Sequence, residues 1–314
     1  MCILVLLPDI DHIVTYFLFV DRKGAFQMKI GVSGASGKLG GTVVAELIAR
    51  GRGRDVVAIS RSPESLRATC EARHGDYDQP GTLVKAYAGL DRLLIIPSAD
   101  LRPGVRGAQL KNAINAALGA GVAHIFLISA AGTHEEADPS LGAAYWTGEQ
   151  HLIKTAPRWT ILRMSYYAES MADEIKISQG QGVLAGLGDE RVSYVSRNDL
   201  AAAAAGALMG HYHEGAIYTA TGPAAVTGPE RAEIVSELLG NPIAFAVITE
   251  EQFRAGLSQS GLPDLIIEAF VEIKHTFVKG KFDIVTGDVQ RLSGRSPKSL
   301  RDILAQQLVQ KRFY

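Results

Sequence analysis

The feature that most constrains the fold is a glycine triplet, Gly34-x-x-Gly37-x-x-Gly40, placed between a short apolar run and a stretch with helical periodicity. Glycines at this spacing permit a tight turn, a close approach of the backbone to a pyrophosphate, and close packing of helix on strand. The start of the helix also offers free N–H groups to phosphate oxygens. The triplet therefore predicts a dinucleotide site, although a tight strand-to-helix turn alone also explains the glycines.

The chain around the triplet alternates between short apolar runs and longer helical patterns up to about residue 163. The strand-like runs are residues 29–32, 56–59, 92–96, 124–128 and 160–162. The helical patterns cover residues 39–50, 63–73, 82–88, 105–120 and 143–155. Nearly continuous apolar strands alternating with helices are typical of a parallel sheet covered on both faces. We predict an α/β fold, a doubly wound parallel-sheet Rossmann domain over residues 28–163.

The regular alternation of strand and helix patterns ends in residues 164–314. We expect these residues to form a smaller, helix-rich substrate-binding region. The pattern predicts helices over residues 164–179, 229–239, 250–258, 262–279 and 297–309, a glycine-rich stretch over 180–188, and strands over 216–221 and 243–247. Residues 190–221 are expected to return to the Rossmann sheet. Asp199 precedes an alanine run and is placed to cap that helix or to act on its first turn. Because ligands bind at the carboxyl ends of parallel strands, the second region is expected to cover the site.

Composition narrows the partners of the chain. Lys and Arg number 32 and Asp and Glu 33, with no basic stripe, so a nucleic-acid partner is not expected. Cys2 and Cys70 lie far apart and match no zinc spacing, which indicates a reducing, cytoplasmic setting. Residues 1–27 hold two short apolar runs interrupted by charges, and we interpret them as an extension or a mis-assigned start. A membrane-surface anchor is the alternative for that segment, but no membrane partner is expected.

The second strand-like run leads into Arg61, about where an NAD-preferring site carries an acid for the ribose diol. Arginine instead suits a 2′-phosphate, so NADP(H) is the predicted cofactor, with NAD(H) possible. A solvated arginine at a strand end is the simpler alternative. Further predicted cofactor contacts come from the glycine loop and from later strand ends: Ser36, Lys38, Leu39, Asp76, Tyr77, Pro97, Ser98 and Ser129. For Asp76, a turn that caps the next helix explains the residue nearly as well.

The catalytic prediction centres on Tyr145. Short-chain dehydrogenases use a Tyr-x-x-x-Lys pair in which lysine lowers the pKa of the tyrosine. Here Glu149 occupies the lysine position, so Tyr145 is not expected to be an activated phenol. The histidines show no metal spacing and no nucleophile elbow is present, so neither a metal nor hydrolase chemistry is predicted.

Taken in order, several motifs resemble the NmrA-like, atypical short-chain dehydrogenase family. They are the loop from Gly34 to Gly40, His74-Gly-Asp-Tyr, and residues 161–170, 192–201, 218–223 and 294–300. The resemblance spans about residues 28–310 and is greatest to the flavin-free NAD(P)H:quinone oxidoreductase type 2 branch. That branch also lacks an intact Tyr-x-x-x-Lys pair.

The resemblance implies direct hydride transfer from NADPH to a quinone or a similar conjugated aromatic substrate, without a flavin. It places Tyr145, Trp146, Met164, Tyr166 and Tyr167 near such an acceptor, while ordinary core packing is the alternative for each aromatic ring. The chain departs from the branch at Tyr145, at Met164-Ser165 and at Ser170. Two other functions stay open: a regulator that senses NAD(P) without turnover, and a reductase of triphenylmethane dyes or azo compounds. A homodimer is possible.

Overall fold

A computed structural model describes residues 28–66, 69–136, 140–178 and 182–309. Its main feature is a seven-stranded, fully parallel sheet with the strand order β3-β2-β1-β4-β5-β6-β9. The strands among the described residues are β1 Ile30–Ser33, β2 Val56–Ser60, β3 Glu71–His74, β4 Arg92–Ile95, β5 His124–Ala130, β6 Trp159–Met164, β7 Val183–Gly186, β8 Arg191–Val192, β9 Ala216–Ala220, β10 Val226–Thr227 and β11 Ala244–Val247. The strand order reverses between β1 and β4, and the crevice at such a point is where ligands of open parallel sheets bind.

Helices cover both faces of the sheet because the strand residues alternate between two apolar cores. The helices among the described residues are α1 Lys38–Leu47, α2 Pro80–Tyr87, α3 Val105–Gly119, α4 Leu141–Thr155, α5 Ala168–Ser178, α6 Arg197–Met209, α7 Gly228–Leu239, α8 Glu250–Gln259, α9 Asp264–Val278, α10 Asp288–Ser293 and α11 Leu300–Leu304. Val56 and Ala58 of β2 join the core beneath α1, α6 and α10, whereas Val57 and Ile59 join the core beneath α2 and α3. The predicted α/β, doubly wound parallel-sheet fold is confirmed.

A second group of elements lies over the carboxyl edge of the sheet. β7 pairs with β11 in parallel and β8 pairs with β10 antiparallel, outside the main sheet. Their core combines side chains from α5, α7, α9 and α11, among them Met171, Val235, Phe277 and Leu304, all of which are buried. Because these elements follow β6 in the chain and stand beside its end, they form one wall of the crevice.

Three local predictions were wrong or incomplete. The described residues of the segment 63–73, which are 63–66 and 69–73, contain no α-helix: a 3-10 turn, Pro63–Ser65, precedes β3. β3 is an edge strand that is exposed along most of its length, so it needs no apolar residues. Its charged sequence is therefore easily mistaken for part of an exposed helix. Residue 164 ends β6, and the helix predicted over 164–179 begins at Ala168. The glycine-rich stretch contains strand β7, whose main-chain pairing with β11 leaves little trace in the sequence.

The start of α6 decides between the two alternatives for Asp199. Ser196 is the cap residue, and its hydroxyl accepts from the backbone N–H of Asp199. Asp199 lies within the first turn and accepts from the Ser196 hydroxyl and from the backbone N–H of Lys298. It therefore acts on the first turn and ties the helix to the C-terminal segment.

The predictions for residues 1–27 lie outside the described residues. Within the described part of the chain, every helix is too short or too polar to cross a lipid bilayer.

Candidate functional site

The glycine loop lies between β1 and α1, at the centre of the carboxyl edge of the sheet. Gly34 has a φ of +91°, a left-handed conformation that favours glycine. A Cβ on Gly40 would stand 2.2 Å from the carbonyl oxygen of Gly34, so no side chain fits where α1 crosses the loop. Gly37 caps α1 and supplies no side-chain hydrogen bond, and the first turn holds no acid. The loop is thus a cradle with free N–H groups at a positive helix end, which suits a pyrophosphate.

A cleft of about 550 Å³ extends from this loop across the edge of the sheet. Most of the predicted cofactor residues line it: Gly34, Ser36, Gly37, Lys38, Leu39, Gly40, Arg61, Asp76, Tyr77, Pro97 and Ser98. Lys38 and Arg61 are exposed on its rim. The cleft is therefore long, glycine-lined at its middle and basic at one end, as a phosphorylated dinucleotide requires.

The polar side chains farther along this cleft, Asp76 and Tyr77, form hydrogen bonds within the protein. The Asp76 carboxylate accepts from the backbone N–H of Asp78 at 3.0 Å and from the amide of Gln79 at 3.2 Å. Those bonds match the turn that the sequence offered as the alternative for Asp76. The Tyr77 hydroxyl donates to the carbonyl of Ile96 at 2.8 Å, and burial raises the pKa of this phenol. Asp76 and Tyr77 thus shape the cleft through a turn and a packed ring.

Ser129 does not line the cleft. Its side chain is completely buried at the end of β5, and its hydroxyl lies 3.4 Å from that of Thr133. The cleft instead reaches this strand at the preceding residue, Ile128. The predicted contact of Ser129 with a nicotinamide therefore lacks a direct path.

A second, more apolar cavity of about 270 Å³ adjoins the cleft beneath α9. Its walls come from the ends of β5 and β6, the start of α4, and the later segment around α9, with Ala131, Ile273 and Phe282 among them. Four residues line both spaces and form their common wall: Arg106, Tyr145, Met164 and Tyr167. A flat aromatic molecule in this cavity would face the end of the cleft farthest from Arg61.

Tyr145 lies in the common wall, but nothing there activates its hydroxyl. Burial raises the pKa of this phenol, and the positive charge of Arg106, whose guanidinium carbon lies 5.5 Å from the ring centroid, only partly offsets that effect. Glu149, at the position of the missing lysine, is fully buried and paired with Arg163 at 2.6 Å. The carboxylate thus braces α4 against β6, and Tyr145 stays a neutral phenol at ordinary pH.

Of the residues predicted to lie near the acceptor substrate, some line the cavity and others do not. Met164 and Tyr167 line the cavity. Tyr166 also lines it, although its hydroxyl donates to Glu174 at 2.6 Å and its ring packs edge-on against Phe277. Trp146 is not among the residues that line either space. The structure therefore brings three of the four predicted substrate residues to the cavity.

Arg106, Gln109 and Arg197 line the cleft but were not singled out in the sequence. Arg106 is 7% exposed and Gln109 5%, a degree of burial that is unusual for such side chains. Arg106 and Gln109 fall on the inner face of α3, one turn apart, which is the only signal that the sequence carried for them. In the described ranges, no group of three or more His, Cys, Asp or Glu side chains is arranged to hold a metal ion.

The fold and the cradle define a Rossmann-type dinucleotide-binding protein. Residues 34–210 match the model of a family described as NAD(P)H-binding. Quinone oxidoreductase 2 of Escherichia coli (strain K12) is 32% identical over 75% of this chain and 83% of its own length. The chain belongs to the NAD(P)H-binding, NmrA-like family of oxidoreductases, as its motifs indicated.

Solved structures agree with this assignment. Triphenylmethane reductase of Citrobacter sp., complexed with NADP(H), has a TM-score of 0.82 and 31% identity, covering 90% of this chain and 100% of that one. The E. coli quinone oxidoreductase complexed with NADPH gives a TM-score of 0.82 at 28% identity, covering 88% and 99%. Among the sequence relatives, an NAD(P)H azoreductase of Xenophilus azovorans is 27% identical over 73% of this chain and 79% of its own length.

Proposed function

We propose that this protein is an NADPH-dependent reductase that passes a hydride directly to a quinone or a similar conjugated aromatic acceptor, without a flavin. The observation that carries the proposal is the common wall of Arg106, Tyr145, Met164 and Tyr167 between a glycine-lined dinucleotide cleft and an apolar cavity. Because the two spaces adjoin at these four side chains, ligands bound in them would lie next to each other, which direct transfer needs.

The choice of NADPH rests on Arg61. This arginine is exposed on the rim of the cleft directly after β2, where the adenine ribose lies in Rossmann sites. No acidic side chain stands at that position, and Lys38 adds a second positive charge to the same cleft. A planar guanidinium binds a 2′-phosphate through charge-assisted hydrogen bonds.

The side chains around the cavity favour positioning over acid–base chemistry. NADPH supplies the hydride when bound, and the chain supplies a dry surface on which the acceptor is stacked. Tyr145 and Tyr167 are half-buried phenols whose pKa values are raised by desolvation, and Glu149 is held by Arg163. Quinones need little acid help during hydride transfer, so a cavity without an activated acid suits them.

The relatives support the reaction class and leave the acceptor to be chosen. Their names give a quinone, a triphenylmethane dye and an azo compound as substrates of proteins that use NAD(P)H or bind NADP(H). All three acceptors are conjugated and accept a hydride, in keeping with an apolar cavity lined by aromatic rings.

Turnover with a panel of acceptors tests the proposal. Purified protein with no flavin absorbance is mixed with NADPH and with menadione, benzoquinone, an azo dye or a cationic triphenylmethane dye, and the loss of NADPH absorbance is followed. We expect quinone-dependent oxidation of NADPH well above the rates without acceptor and without protein. Binding of NADPH without oxidation by any acceptor would contradict the proposal and favour the regulator that senses NAD(P) instead.

A further inference from the structure

Arg106 is a buried cation without a conventional partner. It is the second residue of α3, and its side chain is 7% exposed. Its Nε is buried and has no hydrogen-bond partner, and no carboxylate among the described residues lies within ion-pair distance of it. Burying an unpaired charge costs several kcal/mol, roughly, so a position of this kind is usually matched by something that binds there.

The surroundings of Arg106 compensate only part of that cost. Its guanidinium carbon lies 5.5 Å from the centroid of the Tyr145 ring, a cation–π contact that contributes about 0.5–2 kcal/mol. The side chain lines both the cleft and the apolar cavity. It therefore places a full positive charge at the junction where the two ligands of the proposed reaction would meet.

The nearby carboxylates are occupied elsewhere. Asp100 pairs with Arg102 at 2.5 Å, and this pairing, with a smaller contribution from the charge of Arg106, holds the pKa of that carboxyl at about 2. Glu272 accepts from two backbone N–H groups at the start of α4, at 3.2 Å each. Glu136 accepts from the hydroxyl of Ser140. Glu136 and Glu272 line the same cavity as Arg106, but none of the three carboxylates forms an ion pair with it.

We propose that Arg106 binds the carbonyl oxygen of the acceptor and stabilises the oxyanion that hydride transfer creates, so that the site selects neutral carbonyl acceptors such as quinones over cationic dyes. This inference rests on the proposed function and narrows its substrate class. A fixed cation in a dry site stabilises developing negative charge more strongly than water does.

The electron balance separates the two kinds of acceptor. NADPH would supply the hydride with both electrons of its C–H bond. The hydride bonds to one carbonyl oxygen of the quinone, and the other carbonyl oxygen takes up the negative charge. The hydroquinone anion next to Arg106 then takes a proton from water, while the guanidinium keeps its own protons. A triphenylmethane cation becomes neutral on receiving a hydride and forms no oxyanion. The charge of Arg106 would therefore give that dye no stabilisation before or after transfer.

Steady-state kinetics on Arg106→Met test the selection. We expect kcat/KM for menadione to fall about 100-fold, the order found when one oxyanion donor is removed. The kcat/KM for a cationic triphenylmethane dye should stay unchanged or rise, and the Kd of NADPH should move less than about twofold. Arg106→Lys keeps the charge and should recover part of the quinone activity. Arg301→Met, the same change at an exposed arginine of α11 outside both spaces, is the matched control and should leave both acceptors unaffected.

An equal loss with quinone and dye would overturn the proposal, as would a parallel loss of NADPH affinity or no change at all. A binding measurement separates this outcome from failure of the proposed function. Para-nitrophenolate imitates a hydroquinone anion and needs no turnover, so its Kd is measured with the protein saturated with NADP⁺. We expect it to weaken at least about tenfold in Arg106→Met, the scale of one charge-assisted hydrogen bond. Equal binding by both proteins would overturn the role of Arg106 whether or not quinones are reduced.

Discussion

The dinucleotide cleft and the acceptor cavity meet at one wall but are built in different ways. Most of the cleft is made by short segments that follow β1, β2, β3 and β4, each a few residues long and set directly at a strand end, and only its far end reaches later elements such as α4 and β6. The cavity joins residues near the ends of β5 and β6 to α9, more than 100 positions later in the chain. The cleft is therefore encoded locally, whereas the cavity exists only after the C-terminal elements have packed over the sheet.

The two regions also use charge differently. The cleft carries exposed cations, Lys38 and Arg61, on a rim open to solvent. The cavity holds its charges as buried or bonded groups, with Glu149 paired to Arg163 behind it and Arg106 at its inner wall. Substitutions in the cleft should therefore act on cofactor affinity, while those behind the cavity should act on stability or on the acceptor.

The largest effect is expected for Glu149→Lys, which recreates the Tyr-x-x-x-Lys spacing. The lysine would stand beside Arg163 in a buried place, so the free energy of unfolding should fall by about 3 kcal/mol or more. No alcohol dehydrogenase activity should appear, because Tyr145 gains no free cation. Urea denaturation and a secondary-alcohol assay measure the two outcomes. Gln150→Lys, the same new charge at the next and less buried residue, is the control. Unchanged stability in Glu149→Lys would show that the buried pair is not a brace.

A second test compares adjacent glycines of α1. Gly40→Ala would place a Cβ 2.2 Å from the Gly34 carbonyl oxygen, whereas in Gly41→Ala the nearest atom lies 3.6 Å away. Gly40→Ala should weaken NADPH binding about 100-fold, because the loop must move away from the pyrophosphate position. Gly41→Ala should retain affinity and gain about 0.5–1 kcal/mol in stability from helix propensity. Fluorescence titration and thermal unfolding measure both. Equal affinity in the two variants would mean that the loop does not hold the phosphates.

Arg61→Ala should have a smaller and more selective effect. Loss of one charge-assisted contact with the 2′-phosphate should weaken NADPH about 10- to 30-fold, which is about 1.4–2 kcal/mol, while NADH should change less than about twofold. Arg301→Ala, at an exposed arginine on α11, controls for the loss of a surface charge. If both dinucleotides weaken equally, Arg61 does not recognise the 2′-phosphate.

The contrast between the regions explains how much the sequence alone revealed. The glycine triplet, Arg61 and the alternation of apolar strands with helices are local patterns, and they led to the correct fold class and to a cleft lined by most of the expected residues. Strand β3 was not predicted from the sequence, because an exposed edge strand carries no alternation of apolar and polar residues. A functional site can therefore be predicted from local sequence patterns when its residues lie in short segments whose backbone conformation forms the site.

The cavity was harder to predict because its residues become neighbours only in the folded chain. The resemblance to the family indicated Met164 and Tyr167, yet it also pointed to Trp146, which lines neither space. Arg106 looks like any helix arginine in the sequence, since nothing local shows that the helix end faces a covered cavity. The burial of its side chain and the partners of the surrounding carboxylates decide its role, and both are tertiary properties.

The smallest effect is expected for Tyr145→Phe, at the residue that the sequence made the catalytic candidate. If the cavity works by positioning and by the charge of Arg106, removal of this hydroxyl should lower quinone kcat less than about fivefold, well under the 100- to 10,000-fold, roughly, that general acid catalysis contributes. Because burial raises the pKa of Tyr145 above its usual value of 10.0, kcat should show no titration of this phenol between about pH 6 and 9 in either protein. Stopped-flow hydride transfer across that range measures both expectations. A loss of 100-fold or more, or a pH step that the phenylalanine variant abolishes, would return Tyr145 to the role of proton donor and make the two regions less different than their construction implies.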